Sequence, residues 1–309
     1  FAYRVPNKIT MLGPSRCPYC RVPIQGKHNL PILGWFAVRG RCATCRLPIS
    51  YRYFIVEIIA GALLLFLVLS ELVSQGDYLP TDRVFRVDGL VRDLLTWRFQ
   101  QLGRDEWTLI RIFLVQCLVG YSILTAALMR LDRFRLPTVW KGVQLVLVFS
   151  IIALCPNDFE FARSTFQNPG QLPGFLQRVD FQLTGFLVGS VIGFQYTLLT
   201  KDWNSGAVFG FGLTGACFGL SATLSMGTLF LLLIAGSFAV QLHRQALRQP
   251  LFVLFLAFVL QLLFWKPLSQ IEMWPNASTS AMASILLLVP GAITAFLVRW
   301  IQKTPSRQP

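Results

Sequence analysis

The chain has 309 residues, of which 54% are hydrophobic and only 14% charged, with a formal net charge of +14. Soluble globular domains are about 25% charged, so this composition excludes an ordinary soluble enzyme and points to a polytopic membrane protein. The basic excess does not indicate nucleic-acid binding. Residues 1–56 hold nine Lys/Arg and no Asp or Glu, and the other positive clusters flank apolar runs, as basic loops retained in the cytoplasm do.

The first predicted element is a small four-cysteine domain over residues 1–52, holding Cys17-Pro-Tyr-Cys20 and Cys42-Ala-Thr-Cys45. Each CxxC presents two sulfurs on one side of a tight turn, and two such knuckles close a tetrahedral Zn²⁺ site. Cys17, Cys20, Cys42 and Cys45 are therefore the predicted metal ligands, with a structural role because no coordination position stays open. Four unrelated thiols, or two disulfides, are the competing readings of the same residues. Thiols in a cytoplasmic loop stay reduced and free to bind metal. Four cysteines already satisfy the metal, so His28 is expected to be a loop residue. Cys117, Cys155 and Cys217 lie in or beside apolar runs and read as small core residues.

Eight apolar runs approach the 17–25 residues a membrane helix needs. They are Tyr53–Val73, Trp107–Met129, Pro137–Cys155, Gln182–Thr200, Gly206–Leu224, Met226–Leu242, Leu251–Trp265 and Ala281–Ile301. With the four-cysteine domain inside, the loops at 130–135, 201–202, 243–248 and 303–307 also fall inside and are strongly positive, whereas the two long outside loops are mixed in charge. The predicted fold is thus an all-α polytopic membrane protein with a zinc-ribbon-like N-terminal domain, a helical domain over 53–302 and a cytoplasmic tail at 303–309. The chain opens on Phe1, which reads as an internal position, so a further segment is expected upstream.

Within the long loop of about 74–106, Val84, Val87, Val91, Leu94 and Leu95 recur at steps of three and four, with charged residues between them. That spacing predicts an amphipathic helix lying on the membrane surface or against a partner. Further on, Gly185, Gly189 and Gly193, then Gly206 and Gly210, then Gly215 and Gly219, form stripes of small residues that let helix backbones approach closely. Asn276-Ala-Ser278 matches a glycosylation acceptor, a motif short enough to arise by chance. His243 is a lone histidine.

Tyr3-Arg-Val-Pro6, Ser15-Arg-Cys-Pro-Tyr-Cys20, Asn29-Leu-Pro31, Gly34-Trp35, Arg39-Gly-Arg-Cys42, Cys45, Ile49-Ser50, Arg52-Tyr53 and Val56-Glu57 follow one another in an order specific to one family. This stretch resembles the N-terminal cytoplasmic domain of bacterial type IV prepilin peptidases, in which a transmembrane helix precedes the domain. The resemblance implies a multi-pass protein of the bacterial inner membrane that cuts the leader from prepilins or pseudopilins, for type IV pili or type II secretion. It also implies N-methylation of the new terminus from S-adenosylmethionine. Its partners would be those substrates, the inner-membrane lipid and the pilus or secretion machinery, with no nucleic acid.

The family's chemistry rests on two aspartates at the cytoplasmic ends of two helices. One stands seven positions before a loop proline and the other closes a GxGD motif. A carboxylate pair sharing one proton supplies both an acid and a base. Here Pro137 matches the loop proline, and seven positions back stands Arg130. A gapless alignment on Gly215 and Gly219 puts Asn204-Ser-Gly-Ala207 over GxGD, with Ala207 at the acid. Asp132 and Asp202 are the nearby substitutes. Two residues of helix rotate a side chain by about 200°, which aims Asp132 away from the expected face. Two functions follow: an aspartic endopeptidase with a displaced dyad, or a catalytically inactive homologue that binds prepilins or assembles with their machinery. A small-solute transporter is disfavoured, because no run pairs a Gly/Pro break with a buried charge.

Overall fold

The computed structural model describes residue 4 and residues 14–75, 90–96, 102–154, 174–239, 249–271 and 274. Among these the chain is helical, with no strand and only two isolated β-bridges, both in the cysteine domain. That domain contains a 3-10 turn (Gly26–His28) and the short α1 (Leu33–Ala37). The bundle follows: α2 (Tyr51–Leu67), α3 (Leu90–Leu95), α4 (Arg104–Leu131), α5 (Thr138–Leu154), α6 (Gly174–Thr200), α7 (Ala207–Ala239) and α8 (Pro250–Ser269). Among the described residues, three helices are long and apolar enough to cross a membrane: Tyr51–Val73, Asp105–Leu131 and Pro250–Leu268. Shorter apolar helices are Thr138–Ile151, Leu183–Leu198, Ala207–Gly219 and Ala222–Ile234. The predicted last span, the tail, Cys155, His243, the Asn276 motif and most of the 74–106 insertion lie outside the described residues.

Local chemistry sets the ends of these elements. Ser50 caps α2, its Oγ accepting from the Arg52 N–H at 3.3 Å, which satisfies one of the donors a helix start leaves free. At its far end α2 widens into a π-turn, Val68–Val73. There the Ser70 and Ser74 hydroxyls donate back to the Leu67 and Ser70 carbonyls, a competition with the backbone that bends helices. Arg133, at φ 60°, ends the α4 turn and sends the chain toward α5. Pro250 opens α8, where a missing N–H costs nothing.

α4 is the central helix. Leu109, Ile112, Val115, Val119, Ile123 and Ala126 lie on its fully buried stripe, the three-and-four spacing of an inward face. α2 runs antiparallel to it at the edge of the bundle, with the Tyr121 hydroxyl donating to the Ala60 carbonyl at 2.7 Å. Along α2 only Leu63 and Leu67 are buried, so most of its surface faces outward. α8 also packs on α4, where Phe258 closes on Gly120 beside Leu63 of α2 and meets Phe218 of α7.

The tightest contact in the bundle joins α6 to α7. A Cβ added at Gly189 would strike the Phe211 carbonyl, one at Gly185 the Gly215 carbonyl, and one at Gly193 would lie 2.6 Å from the Ala207 carbonyl. The glycine stripes are therefore packing surfaces that bring backbone against backbone. The order of these contacts shows the first limb of α7 running antiparallel to α6. Beyond Gly219 the order inverts: Gly227 lies beside Ile192, and Phe230 meets Tyr196 at 5.5 Å. Phe211 and Phe230 then face each other at 5.0 Å across the two limbs.

The chain thus doubles back at Gly219, whose φ of 70° and ψ of −170° break the helix. Side chains other than glycine rarely adopt that backbone. Hydropathy predicts two full crossings at Gly206–Leu224 and Met226–Leu242, with an outside loop around Gly227; the reversal instead falls at Gly219. The limb Ala207–Gly219 is about 20 Å long against a hydrocarbon core of about 30 Å, so it does not cross alone. Hydropathy misses the turn because every residue around it is apolar or small.

These contacts predict opposite outcomes for two glycines. Gly189→Ala forces a methyl into the Phe211 carbonyl and should destabilise by about 1–3 kcal/mol. Gly142→Ala, with open space around it, should be neutral or slightly stabilising through helix propensity. Thermal unfolding of the detergent-solubilised protein distinguishes them; equal melting temperatures would mean that the α6–α7 approach is looser than described.

Candidate metal centre and the adjoining helix ends

The four predicted ligands converge. Their sulfurs all lie within 4.8 Å of one another, with Cys17 to Cys45 at 3.8 Å and Cys20 to Cys42 at 4.0 Å. A tetrahedron with Zn–S bonds of about 2.3 Å has sulfur edges of about 3.8 Å. The residues present therefore fit a structural zinc, which would join the two knuckles. His28 belongs to the 3-10 turn and is not part of the cluster.

The two knuckles repeat one another. Arg41-Cys-Ala-Thr-Cys-Arg-Leu-Pro-Ile49 restates Arg16-Cys-Pro-Tyr-Cys-Arg-Val-Pro-Ile24, an internal repeat that the sequence analysis did not use. The backbone repeats with it. Arg21 N–H donates to the Cys17 carbonyl and Arg46 N–H to the Cys42 carbonyl, both at 3.0 Å. Cys17 N–H reaches the Val22 carbonyl and Cys42 N–H the Leu47 carbonyl, at 3.1 and 2.9 Å. The bridges Arg16–Pro23 and Arg41–Pro48 close each knuckle. Arg21 and Arg46 sit in the left-handed region at φ 57° and 60°, the conformation that turns each chain back under its sulfurs.

Amide donors prepare the site for a cation. The backbone N–H groups of Cys45 and Thr44 hold the Cys42 thiol down at about 6, in the range where the thiolate, the metal-binding form, is available at neutral pH. Cys45 is lowered by a backbone hydrogen bond at Leu47, yet burial and the neighbouring sulfurs push it up to about 11. A metal ion would relieve that crowding of negative charge.

The second candidate region is where α4 ends and α7 begins. The α4–α5 and α6–α7 connections meet there, with Leu136 against Gly206. Arg130 is nearly enclosed, its side chain 12% exposed, and forms an ion pair with Asp202 at 3.6 Å. It also donates to the Phe134 carbonyl at 3.2 Å, while its Nε has no partner among the described residues. Asp202 accepts in addition from the Asn204 N–H at 3.1 Å. Asp132 caps the end of α4 and forms an ion pair with Arg52, at the start of α2. Among the described residues neither aspartate hydrogen-bonds another carboxylate. Ala207 is 1% exposed; its N–H donates to the Ser205 hydroxyl at 3.3 Å and its carbonyl lies on Gly193. The structure therefore brings together Arg130, Asp202 and the start of α7, and ties Asp132 to a different helix.

Residues 1–70 match the family model for the bacterial peptidase A24 N-terminal domain. Over these residues the chain is similar to the prepilin peptidases. Among curated relatives, the prepilin leader peptidase/N-methyltransferase of Neisseria gonorrhoeae is 47% identical over 49 residues, 16% of this chain and 17% of that protein. The protein of the same name from Dichelobacter nodosus is 41% identical over 146 residues, 47% of this chain and 40% of that protein. That from Aeromonas hydrophila is 28% identical over 145 residues, 47% and 39% respectively. The chain spans two fifths or less of the length of these relatives. No solved structure matches it.

Metal analysis of the purified protein should find about one zinc per chain, the stoichiometry of a closed four-cysteine site. Cys17→Ser and Cys42→Ser should each reduce that content toward zero and expose residues 14–50 to proteolysis, because metal binding and folding are one event in so short a domain. Retained zinc in both variants would place the metal elsewhere.

Proposed function

We propose that this chain is a prepilin-binding member of the leader peptidase family that holds its substrate at the cytoplasmic face of the bacterial inner membrane without cleaving it. The observation that carries this reading is the Arg130–Asp202 ion pair at the place where the family's dyad is expected. Hydrolysis by a carboxylate pair needs one group to take a proton from water and another to give one, both within hydrogen-bond reach of the reacting atoms. The guanidinium of Arg130 offers donors and no acceptor, and Ala207 has no proton to exchange. Asp202 contacts Arg130, and Asp132 contacts Arg52. The basic N-terminal region, with nine Lys/Arg and no acid in residues 1–56, supports the cytoplasmic orientation.

Several parts of the reading are inherited from relatives. Prepilins or pseudopilins as ligands, and the pilus or type II secretion machinery as the wider setting, are inferred from the resemblance to those relatives. The relatives' names also include N-methyltransferase, and S-adenosylmethionine belongs to the competing, enzymatic reading. In that reading Asp132 and Asp202 form a displaced dyad, favoured by their lying at the ends of helices that meet.

The test is a prepilin peptide with its apolar segment, added to the full chain in phospholipid vesicles. Photocrosslinking of the peptide without release of the leader is the expected result. Leader release that disappears in Asp132→Asn or Asp202→Asn would overturn the proposal and assign the displaced dyad. Failure to crosslink any prepilin would remove the binding role.

A further inference from the structure

α1 is only five residues long, yet large apolar side chains on and beside it face outward: Leu30 is 53% exposed, Leu33 66% and Phe36 56%. In water such a cluster on so small a domain would be costly, because exposed apolar surface is unfavourable in proportion to its area. Its position explains it. The Ile32 N–H donates to Glu57 Oε2 at 2.7 Å, Trp35 stacks on Phe54 at 5.3 Å, and Phe36 meets the same ring edge-on at 5.0 Å. Phe54 and Glu57 belong to the first two turns of the apolar span Tyr51–Val73.

These three contacts fix the depth of α1. Glu57 stands six residues into that span, about 9 Å along the helix. The polar layer on each side of a bilayer's hydrocarbon core is about 5–7 Å thick, and interfacial helices bury their apolar face about 5–10 Å into the headgroup and acyl boundary. α1 is therefore pinned at the level of that boundary. Its apolar face continues the outward surface of α2, where Ile55, Ile58, Leu64 and Leu65 are also exposed.

Charge identifies the kind of surface. Arg16, Arg21, Lys27, Arg39, Arg41 and Arg46 are all exposed on the same domain, and no acid from residues 1–56 opposes them. Clustered Lys/Arg beside a membrane helix attract anionic lipid headgroups.

We infer that Leu30, Leu33 and Phe36 insert into the interface of an anionic phospholipid bilayer, so that the zinc-knuckle domain lies on the membrane instead of projecting from it. The domain is then held at three kinds of contact: the α2 tether, the inserted apolar face and its phosphate-facing arginines. This surface belongs to the membrane-spanning fold and does not depend on whether the chain cleaves prepilins.

The test uses the full chain with its metal, reconstituted in vesicles of phosphatidylglycerol and phosphatidylcholine. Benzoylphenylalanine placed at Leu33 or Phe36 should give phospholipid adducts comparable to those from the outward-facing Leu64. Adducts only to a second copy of the chain or to another protein, or no lipid adduct at all, would overturn the inference. In a second measurement, Leu33→Glu combined with Phe36→Glu should speed tryptic cleavage at Arg39 and Arg41 by about tenfold, as an opened segment does when opening limits proteolysis, with zinc content unchanged. Replacing phosphatidylglycerol by phosphatidylcholine should move the unmodified protein in the same direction. A cleavage rate indifferent to both changes would overturn it as well. Should the double variant lose its zinc, the crosslinking result decides alone.

Discussion

The close approach of α6 to α7, backbone against backbone at Gly185, Gly189 and Gly193, is the constraint on which the rest of the bundle depends. It fixes the height of the first limb of α7, and with it the position of Ala207 and of the connection that carries Asp202. α8 then packs on that limb, with Leu251 and Leu254 filling the space over Gly206 and Gly210. The same limb presents Phe218 to Phe258. In a bilayer there is no solvent-driven force to press helices together, so close van der Waals contact of this kind has to supply the adhesion.

With that frame set, the charged residues at the helix ends have few choices. Arg130 is drawn inward by α4 and meets Asp202 across the gap between two connections, while Asp132 falls on the side of α2 and meets Arg52. Each acid is matched by a cation from a different helix. The arrangement resembles a pair of cross-braces more than a site for activating water, with each carboxylate held by a cation where a working dyad would pair the two acids.

What could be read from the sequence divides along physical lines. The four cysteines were legible because metal geometry imposes a spacing, and the glycine stripes because small residues at every fourth position have one main use. The N-terminal match was legible because its motifs are contiguous. The Gly219 reversal was not, since a turn inside an apolar segment leaves no polar signature. The Arg130–Asp202 pairing joins residues far apart in sequence and depends on the α6–α7 contact, which no local pattern encodes. The duplicated knuckle was in plain view, and only a comparison of the segment with itself would have shown it. α6 begins at Gly174, earlier than the apolar run suggests, because the preceding residues are polar enough to escape a hydropathy count yet compatible with a helix.

The short hairpin at Gly219 has a consequence for where a chain can break at membrane depth. The limb Ala207–Gly219 ends about 10 Å before the far edge of a typical hydrocarbon core. Residues 209–219 are nevertheless buried, walled in by α6 and α8, so lipid does not reach the short limb. Backbone groups that a broken helix leaves without helical partners are tolerated at that depth only where protein covers them, and the enclosure of this limb supplies that cover.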